Sequence, residues 1–255
     1  MHAARVLPKK KQWQREKLRE KLAYPMYVIP VKAFLGLEEW VPHQDALESG
    51  LLQEYDHDTM AEKVLFISHQ WSGWMHPDPK LEQMKTLKAA LRKLLEGSTS
   101  VRSNAVLELR YNWFVKHTGA WWKERLPKMF LWIDFVSMPQ PLSARFKGMS
   151  KAAVEEAMAA EKRARHAGMT AEDGEVQGNS GMDHRLVQDK EVEVARLVKL
   201  LTTAVDCIPG YIQRCAMMWV LVPPTTHADV DSAVCDFASW YRARGSKPRG
   251  AGYRG

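Results

Sequence analysis

The sequence lacks a long apolar segment and has few cysteines. No apolar run approaches the roughly 18 residues that a membrane-spanning helix needs. Charged residues at the start are not followed by an apolar stretch, so we expect no secretory signal. The three cysteines, Cys207, Cys215 and Cys235, include no close pair, which predicts reduced thiols. These absences predict a protein of the cytoplasm or the nucleus.

No glycine-rich phosphate-binding motif occurs in its standard setting. GxxxxGK[ST] is absent, and the pattern GxGxxG occurs only at 250–255, in the predicted disordered tail and after no predicted strand, which argues against a conventional dinucleotide enzyme and against a P-loop enzyme. The GxSxG motif of the serine hydrolases is absent as well. We therefore predict no cofactor, and no residue is assigned a catalytic role.

The positive charge of the chain is concentrated at its two ends. The net charge is +7, and residues 1–21 hold eight Lys or Arg against two Glu. Residues 241–255 hold five Lys or Arg and no acidic residue, so the stretch between the two ends is mildly acidic. A nucleic-acid-binding domain normally carries its basic residues on the folded surface. This distribution therefore disfavours nucleic acid as the partner.

Three short apolar segments predict the strands of a parallel sheet. They are KVLFIS at 63–68, MFLWIDF at 129–135 and AMMWVLV at 216–222. Strands that are apolar on both faces are typical of the middle of a parallel sheet. Segments at 80–96 and 191–205 have apolar residues at helical spacing. The pattern predicts a three-layer α/β fold with helices on both faces of a parallel sheet.

The remaining segments predict the domain organisation. A final helix is expected at about 228–241, and the end of 142–185, AEDGEVQGNSG, has almost no apolar content. The predicted organisation is a basic helical tail at 1–24, a single α/β domain at 25–241 and a disordered basic tail at 242–255. Within the domain we expect a helical extension at 25–60 and an inserted helix with a flexible loop at 142–185.

Polar residues follow the predicted strands at the point where each strand ends. In open α/β sheets, ligands bind in the crevice beyond the carboxyl ends of the strands. Side chains from the first two strand ends are therefore expected to lie close together at one rim. The candidates for a ligand pocket are Ser68, His69, Gln70, Trp71, His76, Asp78, Asp134 and Gln140.

Two kinds of catalytic site are disfavoured at this rim. A Ser–His–Asp triad needs hydroxyl and imidazole within hydrogen-bond reach, whereas Ser68 and His69 are adjacent and point to opposite faces of a strand. A metal site from His69, His76 and Asp78 has ligands that suit zinc or iron, but its spacing matches no standard pattern, and no metal is predicted. Asp134 closes an apolar strand, and both a structural role and direct ligand contact stay open for it.

An ordered set of motifs resembles a known group of proteins. The set is FISHQW, then HPDP followed by Gln83, then LWIDF with PQ, then AVDCIPGYIQRC with WVLVP. It resembles an uncharacterised group that is abundant in dinoflagellates and related protists. That group is similar in turn to Toll/interleukin-1 receptor-like (TIR-like) and fungal heterokaryon-incompatibility-like (HET-like) domains. The resemblance implies a flavodoxin-like fold and adds Gln83 to the pocket candidates.

The resemblance implies two functions for such a domain. Some members of the superfamily self-associate as signalling adaptors, and others cleave NAD with a glutamate on a late helix. Relatives continue from an SWY-like helix into an RGWCR.E-type segment, whereas this chain has no acidic residue after Tyr241. We therefore expect a non-catalytic signalling or interaction module with protein partners or self-association. The alternative is a hydrolase of NAD or a related nucleotide, with Glu38, Glu39 or Glu54 as the substitute acid.

Overall fold

The computed structural model describes residues 16–102, 116–146, 184–230, 233–236 and 238–239. The chain forms two compact units, one from residues 1–139 and 203–255 and the other from residues 140–202. Most of the predicted insertion at 142–185, most of the predicted first tail and all of the predicted second tail lie outside the described residues. Those parts of the predicted organisation stay predictions.

The first unit contains most of the strands and helices. Its strands are β1 (Tyr27–Pro30), β2 (Gln53–Glu54), β3 (Val64–His69), β4 (Val101–Arg102), β5 (Lys116–His117), β6 (Phe130–Ile133), β7 (Met217–Leu221), β8 (Thr225–Thr226) and β9 (Val234–Cys235). Its helices are α1 (Val31–Gly36), α2 (His43–Glu48), α3 (His57–Met60), α4 (Glu82–Glu96), α5 (Gly119–Arg125), α6 (Asp134–Ser137) and, near its end, α9 (Ile208–Arg214), with a 3₁₀ turn at Leu126–Lys128. The second unit contains α7 (Pro141–Arg145) and residues 184–202 of α8 (His184–Asp206).

Five strands form the central sheet in the order β2-β1-β6-β3-β7. The last three strands of this order, β6, β3 and β7, are parallel, with Leu65 opposite Leu131 on one side and Met217 on the other. These are the three strands predicted from the apolar segments. The α/β class with parallel strands at its core is therefore confirmed.

The first face of the sheet carries the main apolar core. Because strand side chains alternate, Leu65 and Ile67 point to the same face as Leu131 and Ile133, and all four are buried. Helix α4 covers this face with its apolar stripe, and α5 adds Trp122 to the same core. Each fully buried aliphatic side chain stabilises the fold by roughly 1.5–3 kcal/mol relative to an exposed one.

The second face of the sheet is aromatic. Phe66 and Trp132 lie opposite each other in register on β3 and β6, and their rings stack with centroids 4.4 Å apart. Tyr211 of α9 packs on Trp132 at 5.5 Å and donates its hydroxyl hydrogen to the backbone oxygen of Tyr24. Helices therefore cover both faces of the sheet, as predicted.

Two predictions of local structure need correction. The segment at 25–60 contains the helices α1, α2 and α3, as predicted, but it also contributes β1 and β2. Strand β1 pairs in antiparallel orientation with both β2 and β6, so the sheet is mixed. The segment YVIP is only four residues long, too short to show a period. The helix predicted at about 228–241 is replaced at 234–235 by β9, which pairs with β8.

The helices of the described ranges are all too short or too polar to cross a membrane.

Candidate functional site

The candidate site lies where β3 and β6 end side by side. Both strands run in the same direction, so His69 at the end of β3 lies next to Asp134, which directly follows β6. The loop at 70–81 then crosses this edge of the sheet before α4 begins. The polar residues of the loop and of the two strand ends form one network, which we call the rim cluster: His69, Trp71, Asp78, Gln83 and Asp134.

His69 is held by one acceptor at each ring nitrogen. Its Nε2 lies 2.7 Å from Asp134 Oδ1, and its Nδ1 lies 3.1 Å from Gln83 Oε1. The Gln83 amide is oriented by its own nitrogen, which donates to the backbone oxygens of Gln70 at 2.7 Å and Pro77 at 3.3 Å. Gln83 Oε1 and the carboxylate can only accept, so both nitrogens of His69 donate.

A ring that donates from both nitrogens is an imidazolium. Burial by itself lowers the pKa of His69, but the charge of Asp134 and the hydrogen bonds to Asp134 and Gln83 outweigh it and raise that pKa above 6.5. The His69 side chain is 1% exposed. Its ring stacks on that of Trp40 at 6.0 Å with an interplanar angle of 7°, a contact that favours the charged form.

Asp134 receives hydrogen bonds from three donors within the part of the chain that the structure describes. His69 Nε2 and the Phe135 backbone N–H, at 2.6 Å, both donate to Oδ1. Trp71 Nε1 donates to Oδ2 at 3.0 Å. Burial acts to raise the pKa of the Asp134 carboxyl, but the charge of His69 and these hydrogen bonds hold it below 3.8. The carboxylate is therefore the anionic partner of His69 and joins two strand ends to the loop.

Asp78 joins the loop to the start of helix α4. Its Oδ2 accepts from the Met84 backbone N–H at 2.8 Å and from Trp40 Nε1 at 3.2 Å. The residue before the helix, Leu81, has a left-handed backbone with φ of 59° and supplies no side-chain cap. Asp78 thus satisfies an N–H of the first helical turn from outside the helix. Among the described residues, its second oxygen has no hydrogen-bond partner although the residue is fully buried.

His76 lies beside this network as a neutral ring. Its Nδ1 accepts from the Asp78 backbone N–H at 3.1 Å, so its hydrogen is on Nε2. Burial lowers the pKa of His76, although the charge of Asp78 opposes that shift. The ring packs on Phe135 with centroids 5.3 Å apart.

A hairpin near the end of the described chain holds the loop from the other side. Ala228 donates its backbone N–H to the Ser72 oxygen at 2.7 Å, and the Trp74 N–H donates to Asp229 at 2.7 Å. At the start of α4, Glu82 accepts from the hydroxyl of Thr225. The loop is therefore fixed at several points.

Most of the predicted pocket residues come together, but their polar groups mainly bind one another. Ser68 is buried on the face of β3 opposite to His69, as the alternation of strand residues requires. Gln140 belongs to the second unit, where it directly precedes α7. The role of this set as a ligand pocket stays a prediction. The predicted residues that meet at the rim are His69, Gln70, Trp71, His76, Asp78, Gln83 and Asp134.

The arrangement offers little to a metal ion. Within 16–102, 116–146 and the later described stretches, no three His, Cys, Asp or Glu residues are grouped so that they could hold one. The alternative metal site from His69, His76 and Asp78 gains no support, because His69 donates from both nitrogens. Asp56 caps α3 by accepting from the Asp58 and Thr59 N–H groups.

Sequence reasoning missed Trp40 at this site. Trp40 is 4% exposed and contacts both His69 and Asp78. It lies in the segment between α1 and α2, 29 residues before His69 in the sequence. No periodicity links a loop residue to a distant strand end, so only its size and its single N–H donor hinted at a buried polar contact.

Comparison of the chain with protein-family models, with curated proteins and with solved structures found no match.

Proposed function

We propose that this chain is a non-catalytic intracellular signalling or interaction module of the TIR-like type that its motifs resemble. The observation that carries the proposal is the state of the rim cluster. His69 uses both nitrogens, Gln83 uses both ends of its amide, and Asp134 accepts from three donors. Groups that could act on a substrate are occupied in holding two strand ends and a loop together.

A module of this kind acts through its surface. A rigid rim with internally satisfied donors fixes the shape of the loop, which suits a constant surface for a protein partner. The basic residues at 1–21 and 241–255 would add attraction to anionic partners without setting the specificity.

Sedimentation velocity over a range of protein concentrations tests this proposal. We expect the sedimentation coefficient to rise with concentration as the chain associates with itself. A chain that remains monomeric up to about 100 μM, well above micromolar affinities, would contradict self-association.

A second candidate function is hydrolysis of NAD or a related nucleotide. One specific observation favours it: the Asp134 side chain is 29% exposed at the strand ends, so a ligand could reach its carboxylate. The Trp71 indole donates a hydrogen bond to the same carboxylate, and its ring could stack on a ring of the ligand. In this function, Asp134 would stabilise positive charge on the ribosyl group as the bond to nicotinamide breaks.

A further inference from the structure

Strand β7 has the sequence of a central strand but lies at an edge of the sheet. Its segment AMMWVLV, at 216–222, is apolar throughout, which is typical of a strand with other strands on both sides. In the order β2-β1-β6-β3-β7, β7 pairs with β3 and with no other strand of the described residues. One long side of β7 is therefore without a partner strand in the part of the chain that the structure describes.

The side chains of β7 are more exposed than those of the neighbouring strands. The first five residues of β3 and the last three of β6 are buried. Of the five residues of β7, only Leu221 is buried. Met218 is 44% exposed. An apolar strand is thus left partly open to solvent at the edge of the sheet.

The backbone on the open side of β7 offers hydrogen-bonding groups to another strand. The N–H and C=O groups of alternate residues point to opposite sides of a strand, so only some of those of β7 are used by β3. The others point away from the sheet. Groups in this arrangement are the template on which an added strand pairs.

Natural sheets normally protect their edges against such pairing. Short edge strands, charged side chains and prolines are the usual means of protection. The opposite edge of this sheet follows the rule, because β2 has only two residues, both exposed, and one of them is Glu54. Strand β7 has five residues, with no charge and no proline among them. Its edge is unprotected, which indicates that another strand covers it.

A second copy of the chain can supply that strand. Strands β1, β3 and β6 have a neighbour on each side. The remaining short strands, β2, β4, β5, β8 and β9, have two residues each. Among the described strands, therefore, the one of matching length with an open side is β7 itself.

We propose that two copies of this chain pair through β7, antiparallel and about a twofold axis, so that two five-stranded sheets become one. Antiparallel pairing of a strand with its own copy is self-complementary, because residues that face each other exchange the same hydrogen bonds. The pairing uses β7 of both copies, so association ends at the dimer. The inference rests on the proposed function and names the surface through which the module assembles.

The pairing would also extend the apolar packing of the sheet. Met217 and Trp219 pack against the core of the first face, where Trp219 contacts Trp122 with ring centroids 5.6 Å apart. Met218 points to the other face, because strand side chains alternate. In a pairing centred on Trp219, side chains of the two copies lie beside each other on both faces. Apolar surface that is exposed in the monomer is then removed from water.

Two variants of Met218 and a mixing experiment test the inference. In a pairing centred on Trp219, the Met218 side chains of the two copies are diagonal neighbours, within reach of long side chains. In sedimentation velocity we expect a monomer–dimer equilibrium for the wild type, and dimers at least about tenfold weaker for Met218→Lys alone and Met218→Glu alone, because like charges then meet. An equimolar mixture of the two variants should regain the dimer; a mixture that stays monomeric would overturn the antiparallel pairing.

A matched control places the same new side chain outside the central sheet. Val234 of β9 is 52% exposed, and β9 belongs to a separate two-stranded sheet. We expect Val234→Lys to dimerise as well as the wild type. Circular dichroism of all variants shows whether each is folded. A loss of dimer in this control as large as in Met218→Lys would overturn the inference.

Amide hydrogen exchange separates strand pairing from a contact of side chains alone. The amides of β7 that point away from β3 should exchange at least about tenfold more slowly in the dimer than in the monomer, because pairing protects them. A dimer in which no amide of β7 is slowed would overturn the inference.

The remaining outcomes separate this inference from the proposed function. Association of the wild type that neither Met218 variant weakens would overturn the pairing through β7 but leave the interaction module standing. A monomeric wild type would overturn both self-association and this inference. A dimer with slowed β7 amides that releases nicotinamide from NAD would support the pairing and overturn the non-catalytic function.

Discussion

The charge state of His69 is set by the groups around it. Gln83 Oε1 and Asp134 Oδ1 are both acceptors, and the Gln83 amide cannot turn without losing its bonds to two backbone oxygens. A neutral ring would leave one acceptor facing a nitrogen lone pair. The buried imidazolium and its carboxylate therefore act as one unit that ties the ends of β3 and β6 together.

Replacing Asp134 with Asn tests this pairing. The amide removes the counter-charge and presents an N–H₂ group to donors, so we expect a loss of about 2 kcal/mol in the free energy of unfolding. We also expect the pKa of His69 to fall, since burial is then opposed by less negative charge. Urea unfolding measures the first effect, and imidazole NMR titration measures the second.

The control for this variant is Glu54→Gln. It makes the same chemical change at an exposed position on β2. There we expect the free energy of unfolding to change by less than about 0.5 kcal/mol. An Asp134→Asn variant with unchanged stability and an unchanged His69 titration would show that the pair contributes nothing.

At the residue scale, the sequence predicted that polar residues at two strand ends meet, but it also included Ser68, which points to the other face of β3, and it did not predict how the residues bind one another. The rule that parallel strands end at one edge is enough to bring His69 and Asp134 together. It does not reveal that the amide of Gln83 fixes the protonation of the ring, because that depends on two backbone carbonyl groups of the loop. Trp40 was missed because its contact is with residues far along the chain.

At the scale of elements, α4 and α5 are in unusually close contact. A Cβ on Gly119 would lie 1.8 Å from the Gly97 backbone oxygen. Gly97 itself has φ of +76° and ends α4, as glycines at helix ends commonly do. The end of one helix and the start of the other can approach so closely because neither residue has a side chain.

Substitution of Gly119 by Ala is therefore expected to destabilise the fold strongly. The added methyl group would collide with backbone that cannot move without shifting a helix. We therefore expect the free energy of unfolding to fall by more than about 2 kcal/mol. Thermal unfolding compared with Gly36→Ala is the measurement. A methyl group added at Gly36 would meet no atom within 4 Å, and that variant should be close to neutral; equal behaviour of the two would contradict the close contact.

The buried strands were predictable, and the edge strands were not. KVLFIS and MFLWIDF have apolar residues at consecutive positions, a pattern typical of a strand that is buried on both faces. In contrast, β2 has two exposed residues, Gln53 and Glu54, and no local signal marks them. Its place in the sheet depends on the pairing with β1, a tertiary contact that no pattern in the sequence encodes.

At the scale of the whole molecule, two histidines give stability an optimum in pH. His43 donates from Nδ1 to the Val136 oxygen and accepts from the Tyr24 hydroxyl at Nε2, so its buried ring is neutral. Burial lowers its pKa to about 4. The pKa of His69 is shifted the other way, to above 6.5.

These shifts predict that the free energy of unfolding rises with pH below about pH 6.5 and falls with pH above it. Below it, the unfolded state takes up a proton that folded His43 resists, so stability falls between pH 6.5 and about 4 by roughly 3 kcal/mol. Above it, unfolded His69 loses its proton first, and the stability from the ion pair is lost as pH rises through the folded pKa. Urea unfolding at a series of pH values should show a maximum near 6.5. Stability that only rises with pH across this range would contradict the His69 assignment, and stability that only falls would contradict the His43 assignment.

The proposed function assigns the rim cluster a structural role and predicts that the chain does not cleave NAD. The most direct test is chromatographic detection of nicotinamide after incubation of the purified chain with NAD, beside the Asp134→Asn variant. We expect both proteins to release no more nicotinamide than buffer alone. Release by the wild type that disappears in a folded Asp134→Asn variant would contradict the claim and make Asp134 a catalytic residue.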